Sequence, residues 1–398
     1  MSKSSAKKVL LLCFFTYLTA YILRVNYSSA LPLISDQLNV SNSYLGLMGA
    51  VFFITYAVGQ LANGFIADAV SPFKFIIFGL IGTIGVNAAV SLSRNFWIIV
   101  ALWALNGYFQ SIFWASLTRI LSIYFEKSKH SMVATTMSSS MVGGFVVSWV
   151  VLSRLLGDGS WKSFFSVPAI WGSFILIAWI ITAHKAKNIE IPYQKLSFGN
   201  LKNSIAFVIQ KRLYLVCLIC FCLGFVKESI SVWGPTIATN LLGVDIKSSA
   251  LVLLIIPFGN LCGLFFSKML IDRLKGNVIK TLAIMFTSIA LGSILLFICK
   301  ENAIIVTVIL LAEVSAMSYG CNSILLSYIP LAFSEYNLVS TLVGIFDFSS
   351  YTGASMSSLV VGAVLINGNW LPVVLIWLLL SVSSVVLCCI AKKKTKLV

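Results

Sequence analysis

The sequence predicts an all-α integral membrane protein with twelve transmembrane helices, arranged as two pseudo-symmetric groups of six. Hydrophobic residues make up 59% of the 398 residues and charged residues only 10%, whereas soluble domains carry about 25% charged residues. Twelve apolar stretches approach or exceed the length of about 20 residues that a helix needs to cross a bilayer. Charged and proline positions in the first half recur 203 residues later in the second half.

The apolar stretches are continuous and do not alternate with polar residues, which favours helices over the strands of an outer-membrane barrel. In chain order, the predicted spans are approximately 9–33, 45–67, 75–93, 96–118, 131–153, 163–183, 213–239, 248–270, 278–299, 303–328, 338–366 and 370–391.

The first span has features of a signal peptide. It begins after Lys7 and Lys8 and ends near the small residues 28–30, an order that also occurs in cleavable signals. Arg24 interrupts the approach to these small residues, and eleven more spans follow. We therefore expect the first stretch to remain in the protein as its first helix.

The composition of the chain changes markedly at 184–212, where a polar, basic connection interrupts the apolar stretches. It separates the first six spans from the last six. We therefore predict an N-terminal six-helix bundle at 1–183, a cytoplasmic linker at 184–212 and a C-terminal six-helix bundle at 213–398.

The distribution of basic residues predicts the orientation. With both termini in the cytoplasm, 20 of the 28 lysine and arginine residues fall in cytoplasmic segments. This positive-inside pattern is typical of a multi-pass protein, and we place it in the plasma (inner) membrane. The net charge of +16 arises from basic residues that follow this pattern. We therefore expect the protein to have the lipid bilayer as its partner and not nucleic acid.

Two cations lie inside predicted spans. Arg24 and Lys227 each stand eight residues before a proline, Pro32 and Pro235, at matching places in the two halves. A charge at the bilayer centre costs roughly 2.5–3.5 kcal/mol by insertion scales. A guanidinium suits bidentate recognition of phosphate or carboxylate, and lysine also binds phosphate. The sequence therefore predicts that this pair binds an anion.

Three acidic residues in or beside these spans allow a different interpretation, in which each cation neutralises a neighbouring acid. Adjacent positions on a helix do not face each other, so we expect Glu228 not to satisfy Lys227. Glu313 and Asp347 could each bind a coupling proton or hold Lys227. The sequence does not rank these two roles.

Aromatic residues follow one face of the first span. Tyr17, Tyr21 and Arg24 are separated by four and three residues, which places them on one helical stripe. Because this stripe contains a charge, we expect it to face a cavity between the helices and not the lipid.

Two further polar–aromatic pairs have the same four-residue spacing. Tyr56 and Gln60 form one pair in the second span, and Gln110 and Trp114 form the other in the fourth span. We predict them as substrate ligands, although packing between helices would explain either pair alone.

Charged residues also recur at the ends of the second and eighth spans. Asp68 and Asp272 are 204 residues apart, and Arg273 follows the second aspartate directly. A carboxylate beside a helix end and a cation can hold two helices together, so we predict a conformational latch on the cytoplasmic side.

The sequence contains no recognisable metal site, cofactor site or catalytic set. The nine cysteines lie in or at the edges of the spans, and the pair Cys217 and Cys220 is not accompanied by a second pair or a histidine. Buried cysteine behaves as a small hydrophobic residue. We therefore predict that the protein binds no cofactor and is not an enzyme.

Over nearly its whole length the chain resembles the major facilitator superfamily and, within it, the organophosphate:inorganic-phosphate antiporters. The motifs that carry the resemblance are Tyr17-x3-Tyr21-x2-Arg24-x-Asn26, Gly107-Tyr-Phe-Gln110-x3-Trp114-x4-Arg119, Trp233-Gly-Pro235-Thr, Tyr319-Gly320, Gly344 and Tyr351. The resemblance implies that Arg24 is the first phosphate-binding arginine and that Lys227 takes the place of the second basic residue.

The resemblance also implies cavity roles for four tyrosines, which are Tyr17, Tyr21, Tyr56 and Tyr351. Gln60 stands where the family has a lysine, and Ser140 stands near the position of a histidine tied to substrate binding. Asp347 takes a position that is often small. These departures imply a less positive cavity than in well-known members.

Together, these observations predict a monomeric secondary active transporter of a small anionic metabolite that works by alternating access. The predicted substrate is a phosphorylated sugar or glycerol phosphate, exchanged for inorganic phosphate. Two alternatives stay open. One is a proton-coupled symporter of a carboxylate such as a sugar acid, and the other is a transporter-like sensor of sugar phosphate.

Overall fold

The computed structural model describes residues 3–125, 130–156, 159–185, 206–242, 254–299, 304–333, 339–365 and 369–394. Within these ranges the chain is helical and contains no strand. The first six helices, α1 to α6, are Lys3–Leu38, Asn42–Ala69, Pro72–Leu92, Phe96–Gln110 continuing as Ile112–Tyr124, His130–Val146 extended to Leu156, and Ser163–Lys185. The last six, α7 to α12, are Tyr214–Leu242, Ile255–Arg273, Val278–Cys299, Ile304–Ser323 extended to Ala332, Val339–Val364 and Leu371–Lys394.

The all-α prediction is confirmed, because each predicted span overlaps one of these helices. Eleven of the helices in the described ranges are long and apolar enough to cross a membrane. The twelfth, α11, falls outside that set. It carries Asp347 together with eight serine and threonine residues, and these polar residues lower its hydropathy.

Asparagine side chains cap helices at their predicted starts. Asn95 accepts hydrogen bonds from the backbone N–H groups of Trp97 and Ile98 at the start of α4. Asn277 accepts one from the N–H of Lys280 at the start of α9. Such caps satisfy backbone N–H groups that have no partner within the helix. They help to set the first residue of each helix close to the start of the apolar stretch.

The helices pack chiefly within their own half. In the first half, α1 contacts α5 and α6, α2 contacts α4, and α3 contacts α4 and α6. In the second half, α7 contacts α11 and α12, α8 contacts α10, and α9 contacts α10 and α12. A boundary at 184–212 remains a proposal, because residues 186–205 lie outside the described ranges.

Contacts between the halves come mainly from α2 with α11, α1 with α7, and α5 with α8. Helices α1 and α7 are the first of their halves, and each contains the proline that follows its buried cation. Since these two helices contact each other, Arg24 and Lys227 reach the same region from opposite halves.

The start of α2 and the end of α11 approach each other at backbone distance, and we call this contact the α2–α11 seam. The Asn42 amide donates to the Leu365 carbonyl at 3.2 Å, and the Ser355 hydroxyl donates to the Ala50 carbonyl at 2.9 Å. A Cβ added at Gly46 would overlap the Ser358 carbonyl oxygen. The seam therefore closes one end of the interface between the halves.

Candidate functional site

Two cations and a carboxylate meet where α1 contacts α7. Glu228 Oε1 lies 2.8 Å from Lys227 Nζ and 3.8 Å from Arg24 Nη2. The three side chains are almost fully buried, with exposures of 8% for Arg24, 4% for Lys227 and 6% for Glu228. One carboxylate oxygen thus lies between a cation of the first half and a cation of the second, and we call these residues the central ion cluster.

The expectation that Glu228 would not satisfy Lys227 is wrong. Their Cα–Cβ bonds leave the helix in different directions, but both side chains are long, and their ends meet at 2.8 Å. Lys227 Nζ also donates to Asn322 Oδ1 of α10 at 3.3 Å. The positions of two residues on a helix decide whether their Cβ atoms are neighbours. The flexible four-carbon side chain of Lys227 nevertheless lets its ammonium group reach the carboxylate of Glu228.

Aromatic rings surround the guanidinium of Arg24. Its Cζ atom lies 4.9 Å from the ring centre of Tyr56, 5.2 Å from that of Tyr351 and 5.5 Å from that of Tyr21. The rings of Phe52 and Phe53 each lie at 5.4 Å. A cation over an aromatic face gains about 0.5–2 kcal/mol. These rings therefore stabilise the arginine in its buried position.

Tyr351 of α11 connects the two cations. Its hydroxyl accepts from Arg24 Nη1 at 3.5 Å, which is a long and weak hydrogen bond. Lys227 Nζ lies 5.8 Å from its ring centre and 5.4 Å from the ring centre of Tyr319. The rings of Tyr351 and Tyr56 are 4.4 Å apart, so aromatic contacts also cross between the halves.

Asp347 adds a second acid to this region. It stands one helical turn before Tyr351 on α11, is buried, and interacts electrostatically with Lys227 and Arg24. With Glu228, the two cations therefore face two carboxyl groups. Removing one partner of a buried ion pair strands the other charge at a cost of about 3–5 kcal/mol, so Arg24, Lys227 and Glu228 depend on one another.

Three other predicted residues, Tyr17, Trp114 and Gln60, extend the site. The ring of Tyr17 lies 5.3 Å from that of Tyr21 and 5.1 Å from that of Trp114. The Gln60 amide donates to the Tyr56 hydroxyl at 2.8 Å. A cavity next to the central ion cluster is lined from both halves, by Arg24, Tyr21, Phe52, Phe53, Phe145 and Trp103 on one side and by Glu228, Ser231, Val232 and Tyr319 on the other.

Gln110 lies with its amide inside the first half. The amide donates to the Ala20 carbonyl at 3.1 Å and to the Thr83 hydroxyl at 3.0 Å. Ser140 is also buried, and its hydroxyl donates to the Met137 carbonyl one turn earlier at 2.6 Å. Substrate contacts from Gln110 and Ser140 remain predictions.

A network of buried amides holds α1 in register behind Arg24. The Asn87 and Asn106 side chains donate to the carbonyl of Leu23 at 3.2 and 3.1 Å. The Asn26 amide donates to Asn87 Oδ1 at 2.8 Å, and the Thr83 hydroxyl donates to Asn106 Oδ1 at 2.5 Å. Since Leu23 directly precedes Arg24, this network fixes the position from which the guanidinium reaches the cavity.

Asn106→Leu should weaken that network. Leaving the buried Thr83 hydroxyl without its acceptor costs about 1–3 kcal/mol, so we expect a lower melting temperature in detergent than for the unchanged protein. Thr118→Leu is the matched control, because Thr118 lies on the same helix, is exposed and bonds only within that helix. Equal melting temperatures for the two variants would show that the network does not stabilise α1.

Glu313 lies between α10 and α9 and not in the central ion cluster. Its Oε1 atom accepts from the Ser288 hydroxyl at 2.6 Å, and a Cβ added at Gly292 would overlap its Oε2 atom. This contact uses a different face of the second half from the one that presents Lys227. A coupling role for Glu313 remains a prediction.

The predicted latch is described only in part. Asp272 and Arg273 are exposed at the end of α8. The side chain of Asp68 lies outside the described residues. The latch therefore remains a prediction.

Sequence reasoning missed four residues that contact the central cations. Tyr319 and Asn322 are polar residues three apart in an apolar span, and that spacing could have identified them as one helical face. Phe52 and Phe53 carried no such signal, because the chain contains 28 phenylalanines.

Comparisons with known proteins agree with this architecture. A family model described as Major Facilitator Superfamily matches residues 13–358. The solved structure of the nucleoside transporter NupG superposes with a TM-score of 0.71 at 13% identity, covering 97% of this chain and 98% of that one. At that identity the likeness concerns the fold alone.

Three relatives of the chain have names that refer to phosphorylated compounds or to sensing. The "Probable hexose phosphate transport protein" of Chlamydia muridarum is 28% identical over 39% of this chain and 34% of its own length. The membrane sensor protein UhpC of Escherichia coli is 23% identical over 65% of this chain and 62% of its own length. The glycerol-3-phosphate transporter of Bacillus subtilis is 22% identical over 90% and 85%. The alignments thus span about a third and about three-fifths of the first two proteins.

Proposed function

Since the chain belongs to the major facilitator superfamily, we propose that it is a secondary transporter of a small organic anion and not an enzyme. The observation that carries the proposal is the Glu228 oxygen, which lies between Lys227 and Arg24. This carboxylate oxygen lies beside one cation from each half, which supports a site for an oxyanion between them. A substrate phosphate or carboxylate would bind these two cations in the same way.

The proposed substrate is a phosphorylated sugar or glycerol phosphate, exchanged for inorganic phosphate. Relatives named for hexose phosphate and glycerol-3-phosphate support this class. The planar guanidinium of Arg24 would bind two phosphoryl oxygens at once, and the Lys227 ammonium would supply a point charge. The rings of Tyr17, Tyr21 and Tyr56 would then contact the organic part.

Movement would follow from binding across the interface. An anion held by Arg24 and Lys227 favours the arrangement in which both halves contact it, and a ligand shifts a conformational equilibrium only by its differential affinity for the two states. The α2–α11 seam would open and close one end as the halves rock about the midplane site. The cytoplasmic position of both termini and a monomeric state belong to this proposal.

Two other functions each have a specific observation in their favour. Asp347 and Glu228 supply two buried carboxyl groups beside the cations, as a proton-coupled symporter of a carboxylate would need. A relative named as a membrane sensor favours a protein that binds sugar phosphate without transporting it.

Counterflow in liposomes preloaded with phosphate tests the proposal. We expect uptake of labelled glycerol phosphate or hexose phosphate by the wild type, and retained uptake by Lys227→Arg, because either cation binds a phosphoryl group. Lys227→Ala should lower uptake about tenfold or more, since it removes a charge-assisted contact and strands Glu228.

The alternatives predict other results. Uptake of uronates driven by a pH gradient, without internal phosphate, would favour the proton-coupled symporter. Binding of sugar phosphate without any flux would favour the sensor. Equal uptake by Lys227→Ala and by the wild type would show that Lys227 does not bind the substrate.

A further inference from the structure

Glu228 and Lys227 are neighbours on one helix, so this carboxylate moves with the second half of the protein. We propose that Glu228 acts as a tethered counter-anion, which lets the transporter change conformation without bound substrate and so permits net anion flux in addition to exchange. This inference rests on the proposed function, because it concerns the return step of the same transport cycle.

The argument begins with the two cations. When a site with two uncompensated positive charges closes to water, both charges enter a low-dielectric region. The free energy of this closed conformation is high, because charge is costly there. A carrier of that kind changes conformation readily only when an anion is bound, so its flux is limited to exchange. A carboxylate that belongs to the protein removes this restriction, because its charge does not leave with the substrate.

The distances indicate how the cluster would divide as the halves separate. The Lys227–Glu228 contact is short, at 2.8 Å, and lies within the second half. The Arg24–Glu228 contact crosses between the halves and is longer, at 3.8 Å. Rocking would therefore break the longer contact and leave the shorter one, so that Lys227 stays neutralised throughout the cycle.

Arg24 keeps most of its own support when that contact breaks. Four of the five rings around its guanidinium, those of Tyr21, Phe52, Phe53 and Tyr56, belong to α1 and α2 of the first half. Their faces attract the cation in the absence of a carboxylate. Each half thus carries its own means of stabilising its cation, which the return step requires.

The other charged and titratable groups near Glu228 are consistent with this role. They are Arg24, Lys227, Tyr21, Tyr319 and Tyr351, with Asp347 also interacting with the two cations. When an anion enters, it would take the place of the Glu228 oxygen on Arg24 and share Lys227. Glu228 is thus a positioning residue for the return step and a competitor for the substrate.

The test compares two fluxes of labelled inorganic phosphate from preloaded liposomes. One is efflux into buffer with external phosphate, and the other is efflux into phosphate-free buffer, with potassium and valinomycin holding the membrane potential near zero. For the wild type we expect both fluxes. For Glu228→Gln we expect exchange to persist while the ratio of net efflux to exchange falls about tenfold, because the carboxylate that compensates Lys227 during the return step has been lost.

Glu228→Asp keeps the charge and should restore net efflux relative to Glu228→Gln. Asp36→Asn is the control, since it removes a carboxylate at an exposed position near the end of α1, outside the central ion cluster. Its ratio of net efflux to exchange should equal that of the wild type. Size-exclusion profiles in detergent report whether each variant is folded.

The outcomes separate the two proposals. A wild type with no phosphate exchange contradicts the proposed exchange function, and this inference falls with it. A wild type that exchanges phosphate but shows no net efflux overturns the inference alone, without any need for the variants. An unchanged ratio in folded Glu228→Gln also overturns it, because the carboxylate would then have no part in the return step.

Discussion

Arg24→Lys is expected to abolish anion counterflow while leaving the protein folded. Lysine keeps the positive charge and can still balance Glu228, but it cannot make two parallel hydrogen bonds to one oxyanion. Charge-assisted hydrogen bonds contribute about 1.5–3 kcal/mol each. Losing one such bond and the planar contact with the surrounding rings would lower flux about 100-fold, since 1.4 kcal/mol corresponds to a factor of ten.

Arg154→Lys provides the matched control for this substitution. Arg154 lies in the last turn of α5 and is exposed, so the same change there should leave counterflow unaltered. Initial rates in phosphate-loaded liposomes, normalised to the amount of folded protein, measure the effect. Near-normal counterflow by Arg24→Lys would contradict the role assigned to the guanidinium.

Gly46→Val is expected to stop transport by preventing closure of the α2–α11 seam. The first carbon of the added side chain would overlap the Ser358 carbonyl oxygen and lie 3.1 Å from the Cα atom of Gly362. These are backbone atoms, so the helices themselves would have to move apart. Overpacking of this kind costs about 1–3 kcal/mol. The cost destabilises the closed arrangement of the seam and does not affect packing within either half.

Gly85→Val on α3 is the corresponding control, because a Cβ added there meets no heavy atom within 4 Å. We expect Gly46→Val to lose at least about tenfold in counterflow with a normal size-exclusion profile, and Gly85→Val to lose little. A cysteine introduced at Ser231, which lines the cavity, should react faster with an impermeant maleimide from the seam side in the Gly46→Val background. Equal reactivity in both backgrounds would show that the seam does not control access.

The helices and the two central cations were accessible to sequence reasoning for different reasons. Helical spans follow from local hydropathy, because each backbone polar group in a bilayer must find its partner within the helix. The cation pair followed from the repeated spacing to Pro32 and Pro235, which placed both residues on the first helix of their halves. The contact between α1 and α7 agrees with that reasoning.

The individual contacts were harder to predict, as Glu228 and Gln110 illustrate. For Glu228, the rule that adjacent helical residues diverge was applied to Cβ directions, whereas the ion pair forms at the far ends of two flexible side chains. For Gln110, helical spacing identified a polar face but not its neighbour, and the amide bonds to Ala20 and Thr83 inside the first half.

The amino-acid sequence alone was enough to predict a bundle of membrane-spanning helices with a positive charge at matching places in its two halves. Hydropathy and an internal repeat are properties of the chain alone, so no neighbouring helix was needed to recognise them. The packing of the helices was needed to show that Glu228 lies between Arg24 and Lys227 and that four of the five rings at Arg24 come from its own half. The physical reason is that charge compensation depends on distances of a few ångströms between side chains far apart in sequence, and those distances are set by helix packing.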